Sequence, residues 1–304
     1  MTPLKFAAVS RNYFNMPVWI GVHAGLFRDE GIDLAVELHE GVDAVTERLV
    51  DGRVQLAYGI TEHVILDSER DGTTEIIGGN VNRLPFSLIA GKTIRHFEDM
   101  RGKVVGVSSL DAGSSSLVMR LFESHGLHYP GDYKIVAVGP ILTRWAMLQS
   151  GEIDAGLQGA PLNYIANDAG YPTLAEPRAQ FPDFQFTSLH VESGWARANY
   201  DLVVRFMRAF LRAHEWFYAN KDGAAEIAMR ETGVSRHYAD QAWDEYTAAE
   251  IFPRDGDVCD AAVQALIDIS GPIRALPRRT KTRAADYINR SYLVAARASL
   301  GEAA

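Results

Sequence analysis

One pattern, stated once in each half of the chain, constrains the fold more than any single residue does. The first half carries Leu49-Val50-Asp51-Gly52-Arg53-Val54-Gln55-Leu56-Ala57-Tyr58-Gly59 at the end of an amphipathic stretch. The second carries Met147-Leu148-Gln149-Ser150-Gly151-Glu152-Ile153-Asp154-Ala155-Gly156-Leu157. Each reads as a helix, a glycine stop, a short polar turn and a strand of small residues. Polar residues follow both times, Thr61-Glu62-His63 and Gln158-Gly159-Ala160-Pro161. Two similar α/β halves that each deliver polar groups at a strand end point to a ligand held between two lobes.

With 304 residues, 47% of them hydrophobic and 23% charged, the chain can support two lobes, each with a core. Strand and helix signals alternate through most of it, the mark of an α/β protein with mainly parallel sheets. Strands are predicted over Leu4–Val9, Ile32–Leu38, Glu75–Gly79, Phe86–Ala90, Gly102–Val107, Lys134–Val138, Ile153–Leu157 and Phe184–Val191. Helical spacing covers 17–26, a segment from Ser114 that stops at Gly126, and 143–149. After Ala198 the pattern is helical throughout. Leu202, Val203, Phe206, Met207, Phe210, His214 and Phe217 form a wide apolar stripe, and further helices are predicted over 224–231, 235–250 and 261–276. Ser235 is the expected N-cap of the helix over 235–250.

A net charge of −9 argues against a nucleic-acid surface. The single cysteine, Cys259, excludes an intramolecular disulfide, and the nine histidines are too scattered to suggest a metal site. No motif calls for a cofactor. No run approaches the ~18–20 apolar residues of a membrane span. Met1-Thr2-Pro3 runs straight into the first strand without a leader. Taken literally this places the chain in the cytoplasm, or in the periplasm if a leader has been removed.

The segment Pro17-Val18-Trp19-Ile20-Gly21-Val22-His23-Ala24-Gly25-Leu26-Phe27-Arg28-Asp29-Glu30-Gly31-Ile32-Asp33-Leu34 resembles the opening of the type II periplasmic-binding-protein fold. The branch is that of the nitrate, sulfonate and taurine binding proteins and the thiamine-pyrimidine synthases. Met100-Arg101-Gly102-Lys103-Val104-Val105-Gly106-Val107 resembles the start of that family's second lobe, and Leu148–Ala155 its second helix-to-strand junction. The likeness continues through Ala284–Ala295. It implies two Rossmann-like α/β lobes joined by two crossover strands, with a helical C-terminal extension on lobe one. Lobe one would take 1–90 plus 190–304 and lobe two 91–189. The cysteine-rich iron-binding segment of the synthases is missing, which argues against their self-consuming chemistry.

In such folds ligands sit beyond the carboxyl ends of the strands, against helix N-termini. That rule selects Arg11, Asn12, Tyr13 and Phe14 after the first strand. Arg11 would grip an anion, while Tyr13 or Phe14 would either stack on a planar ligand or pack inside. It also selects Thr61, Glu62 and His63, where Glu62 and His63 would serve as an acid/base pair or as simple hydrogen-bonding ligands. Asn80 follows another strand, as do Asn82 and Arg83. Ser109, Gly113, Ser114 and Ser115 form the most promising anion site, with Asp111 either turned away from it or contacting a donor of the ligand. Gln158, Pro161 and His190 complete the set. Trp145, beside Arg144, reads as lobe core.

The leading expectation is capture of a small organic anion, a carboxylate, sulfonate or pyrimidine-like molecule, in the manner of an ABC-transporter solute-binding protein. If the chain is exported, an ABC permease would be its partner. The alternatives are a cofactor-independent lyase or decarboxylase using Glu62 and His63, or a cytoplasmic ligand sensor. The balance leans away from an enzyme.

Overall fold

The structure is a computed structural model that describes residues 1–110, 113–270, 281 and 283–301. In chain order it opens with β1 (Thr2–Val9), α1 (Met16–His23), α2 (Leu26–Asp29), β2 (Ile32–His39), α3 (Val42–Val50), β3 (Leu56–Ile60), α4 (Thr61–Ser68) and β4 (Thr74–Val81). The chain then crosses over. The next elements are β5 (Phe86–Ala90), β6 (Val104–Val107), α5 (Gly113–Glu123), β7 (Lys134–Ala137), α6 (Ile141–Ser150), β8 (Ala155–Gly159), α7 (Leu162–Asp168), β9 (Thr173–Ala175) and α8 (Pro177–Gln180). It returns through β10 (Thr187–Glu192) to α9 (Ser193–Ala198), α10 (Tyr200–Ala219), α11 (Lys221–Thr232), α12 (Arg236–Ala248), α13 (Asp260–Ser270) and α14 (Ser291–Gly301).

The two five-stranded sheets share one plan, β2-β1-β3-β10-β4 and β7-β6-β8-β5-β9. In each, the fourth position is an antiparallel strand that follows a crossover between the sheets, β10 beside β3 and β5 beside β8. The fold is therefore α/β with two lobes and two crossings, and the helical C-terminal part packs on lobe one through α10 against α1 and α2 and through α14 against β4. Two boundaries differ from the expected ones: Phe86–Ala90, expected in lobe one, pairs with Ala155–Gly159 in the second sheet, and Thr187–Leu189, expected in lobe two, pairs with β3 and β4 in the first. Hydrophobicity identifies a buried strand but not which sheet buries it.

The repeated junction has a simple basis. Gly52 and Gly151 both adopt left-handed conformations (φ +70° and +80°), which glycine reaches without a Cβ clash, and so turn α3 into β3 and α6 into β8. Gly25 (φ +77°) likewise breaks the helix expected over 17–26 into α1 and α2. Ser235 stands at the N-cap of α12 as expected, but its hydroxyl makes no capping bond. Asp111 and the 271–276 end of the last predicted helix lie outside the described residues.

The second lobe and the C-terminal helices are tied by polar contacts. Glu245 of α12 accepts from the Tyr164 hydroxyl of α7 and from Arg178 of α8 (3.2 Å). Tyr238 donates to Asp168 at 2.7 Å.

Candidate functional site

The carboxyl ends of the parallel strands in both lobes face one narrow cleft, with a cavity of about 40 Å³ between the walls. Lobe one contributes Val9 at the end of β1 and Asn12 past it, Gly41 and Val42 past β2, Ile60 at the end of β3, and Thr187 on β10. Lobe two contributes Ser108 past β6, and Gly139, Pro140 and Ile141 past β7. Phe14, Phe86 and Phe186 complete the wall. Their rings meet edge to face, with centroids 4.8 Å apart for Phe86–Phe186, 5.6 Å for Phe14–Phe86 and 5.8 Å for Phe14–Phe186. Such a trio gives a planar apolar body both ring faces and ring edges to contact.

Two helices begin at this cleft, α3 behind Gly41 and α6 behind Pro140, and neither N-cap residue makes a side-chain capping bond. The first-turn N–H groups of a helix have no intrahelical acceptor and carry its positive end. These two positive ends come from topologically equivalent positions in opposite lobes.

Behind the lobe-two wall lies Arg144, 1% exposed. It donates to the Leu157 carbonyl, to the Gly139 carbonyl at 3.1 Å and to the Ser108 hydroxyl at 2.6 Å. Burial lowers its pKa to about 10, so it remains a cation at neutral pH. On the lobe-one wall Asn12 donates from Nδ2 to the Val9 carbonyl (2.9 Å), and its Oδ1 has no partner among the described residues. Asn80, behind the wall, donates to the Thr187 hydroxyl at 3.1 Å.

Of the residues singled out from sequence, Asn12 and Phe14 line the cleft and Asn80 supports it. Arg11 is elsewhere: it is exposed and pairs with Glu231 of α11 at 2.8 Å, since the chain turns after Ser10 and sends its side chain outward. Tyr13 is core, with its ring edge-on to Tyr246 at 4.7 Å, and burial holds its phenol well above the usual range. Thr61 shares a hydrogen bond with Ser188 (2.9 Å), which in turn meets His190 Nε2 at 2.7 Å. Burial and the nearby His63 push His190 down to about 3, so it is neutral. Its ring fits because Gly59 has no side chain: a Cβ there would stand 2.7 Å from Nδ1.

Glu62 and His63 face different neighbours. A Cβ on Gly113 would come within 3.0 Å of Glu62 Oε2, so this carboxylate lies at the start of α5 in the opposite lobe. His63 Nδ1 meets the Thr46 hydroxyl at 2.5 Å, and its Nε2 lies 3.5 Å from Asp43. Successive residues of a helix point about 100° apart, and α4 starts at Thr61, so the two side chains diverge.

The serines before and within α5 close their own loop: Ser114 accepts from the Ser108 N–H (3.3 Å), and Ser115 donates to the Ser109 carbonyl (2.9 Å). Gln158 is fully buried against α6; with its amide nitrogen toward the Ile141 carbonyl (3.2 Å), its oxygen faces the Trp145 N–H (3.3 Å). Pro161 begins α7 and is absent from the cleft wall. Among the described residues no cluster of three or more His, Cys, Asp or Glu could hold a metal ion, and no helix is long and apolar enough to cross a membrane.

The model of the family described as NMT1/THI5 like matches residues 13–224, which include both crossovers and most of the cleft wall. The chain belongs to the NMT1/THI5-like family. A comparison with curated proteins returned no match. Among solved structures, this NMT1/THI5-like chain is similar to the alkanesulfonate-binding protein SsuA from Xanthomonas axonopodis pv. citri bound to MOPS (16% identity, TM-score 0.77, covering 96% of this chain and 99% of that one). It is similar to the periplasmic nitrate-binding protein NrtA from Synechocystis PCC 6803 (15%, TM-score 0.80, 98% and 89%). A DSZB variant in complex with biphenyl-2-sulfinic acid is a third neighbour (14%, TM-score 0.71, 97% and 99%). At these identities the likeness establishes the fold alone, the periplasmic-binding-protein fold of two α/β lobes.

What the sequence reading of this NMT1/THI5-like chain missed is the share of the cleft wall supplied by the segments that follow β2 and β7. The ends of β2 and β7 lead into Gly41-Val42 and Gly139-Pro140-Ile141, residues without polar side chains. Their backbone N–H groups carry the polarity there, and backbone polarity leaves no mark in residue type.

Proposed function

We propose that this protein captures a small organic anion with a planar, apolar body in the cleft between its lobes, as a substrate-binding protein of ABC-type import. The observation that carries this reading is the convergence of two uncapped helix N-termini, α3 and α6, on one aromatic-walled cleft. Oriented N–H groups at helix starts hold oxyanions without a surface arginine. Asn12 Oδ1, with its amide orientation set by the bond to Val9, is placed to accept an N–H or O–H of the ligand. The ligands named for the structural neighbours, MOPS, nitrate and biphenyl-2-sulfinic acid, are all oxyanions, which supports the charge assignment. An ABC permease as partner and a periplasmic workplace belong to this reading. Because Glu62 and His63 face different neighbours, we adopt binding without conversion.

The test is a thermal-shift screen of small carboxylates, sulfonates and sulfinates, with every stabilising compound recovered and weighed by mass spectrometry. Stabilisation by an anion recovered unchanged is the expected result. A stabilising compound that comes back converted would make the protein an enzyme and end the transport reading.

A further inference from the structure

Arg144 is a buried cation with no carboxylate among its described partners. Its hydrogen bonds go to two backbone carbonyls and to the Ser108 hydroxyl, and burial is the sole cause of its lowered pKa. Burying an ion is costly even with a partner, and an aliphatic side chain would pack this part of α6 at less cost. The sheet nevertheless makes room for it. Gly106 of β6 and Gly156 of β8 are register partners. A Cβ on Gly156 would fall 2.6 Å from Arg144 Cδ, and one on Gly106 would fall 3.4 Å from Cγ. The arginine stem thus runs through a slot that two paired glycines leave open.

A guanidinium has donors and no acceptor. At Ser108 it occupies a lone pair of the hydroxyl oxygen, and the hydroxyl proton must go elsewhere. Among the described residues nothing accepts that proton, and Ser108 lines the cleft beside Gly139, Pro140 and Ile141. These last three open α6, whose first turn has no capping side chain and no acidic residue.

We infer that Ser108 is the hydroxyl that meets the ligand's anionic head, and that Arg144 is the positioning residue that turns its proton into the cleft. The inference rests on the anion-capture reading and adds the chemistry of the head group. The cation behind Ser108 strengthens the hydroxyl as a donor and holds positive potential at this wall, so the site selects an ionised oxyanion over a neutral amide of the same shape. Arg144 acts through Ser108 and the α6 terminus without touching the ligand.

Isothermal titration of benzenesulfonate, benzoate and nitrate, with neutral benzenesulfonamide as the shape control, separates the possibilities. Ser108→Ala should weaken benzenesulfonate about ten- to a hundredfold, the loss expected of one hydrogen bond to a charged group, and leave benzenesulfonamide within about twofold. Arg144→Met should lose the same discrimination, and Arg144→Lys should recover part of it. Ser108→Ala carries the test if Arg144→Met does not fold. Should Ser108→Ala bind anion and amide as the wild type does, the inference is overturned while the anion-capture reading stands. Should the wild type bind none of the three anions, that reading falls and the inference falls with it.

Discussion

The Glu62 carboxylate of the first lobe lies against Gly113 of the second, so close that a Cβ on Gly113 would stand 3.0 Å from Oε2 and 3.3 Å from Phe184 Cζ. Gly113 opens α5, the helix whose serine-rich start marked it in the sequence as an anion site. A carboxyl group of the protein itself thus sits at that helix start, and the cleft opens instead on α3, which carries Asp43 in its first turn, and on α6, which carries no acidic residue there. This one contact relocates the anion site within the fold.

Replacing Glu62 by Gln keeps the shape and removes the charge at the α5 terminus. Stability should fall by about 0.3–2 kcal/mol, the range for a charge at a partly buried helix end. Urea unfolding at low ionic strength measures it, and a variant as stable as the wild type would show that the carboxylate does not act on α5.

Arg11→Ala should leave the affinity for anions unchanged, because its guanidinium is occupied by Glu231 on a different surface. An exposed ion pair of this kind contributes at most about 1 kcal/mol to stability. A marked loss of binding in titration calorimetry would return Arg11 to the site.

Phe86→Leu and Phe186→Leu keep the cleft apolar and remove its rings. Aromatic contacts are worth about 0.5–1.5 kcal/mol beyond simple burial, so benzenesulfonate should bind several-fold more weakly while nitrate, which has no apolar body, is little affected. Equal losses for both anions would mean that the ring wall supports the fold rather than contacting the ligand.

Burial lowers His190 to about 3 and His214 to about 4, whereas an unfolded histidine titrates near 6.5. Below about pH 6.5 the unfolded chain takes up protons that the native histidines refuse, so stability falls with pH from there toward the folded values. Above that pH these histidines add no pH dependence. Each contributes a slope of about 1.4 kcal/mol per pH unit within its window. Denaturant unfolding at pH 7.5, 6 and 5 should show the slope, and His190→Gln should make it shallower. An unchanged slope in that variant would mean that His190 titrates normally.

Period and punctuation were enough to read the α/β class, the two lobes and the helical C-terminal part, because burial on one or both faces writes itself into residue spacing. Gly52 and Gly151 announced the repeated junction, since a left-handed turn leaves few alternatives to glycine. Asn12 and Phe14 were found by the strand-end rule, and Asn80 by the same rule one step behind the wall. Side-chain direction was decided only in three dimensions. Arg11, beside Asn12 in the sequence, turns outward to Glu231, and Glu62 and His63 diverge around one helix. Arg144 stood in the sequence only as the neighbour of Trp145, and the fold buries it with no carboxylate among its described partners and sets it against Ser108. Local spacing records which groups must be buried, whereas the partner of each polar group depends on segments brought together from distant parts of the chain.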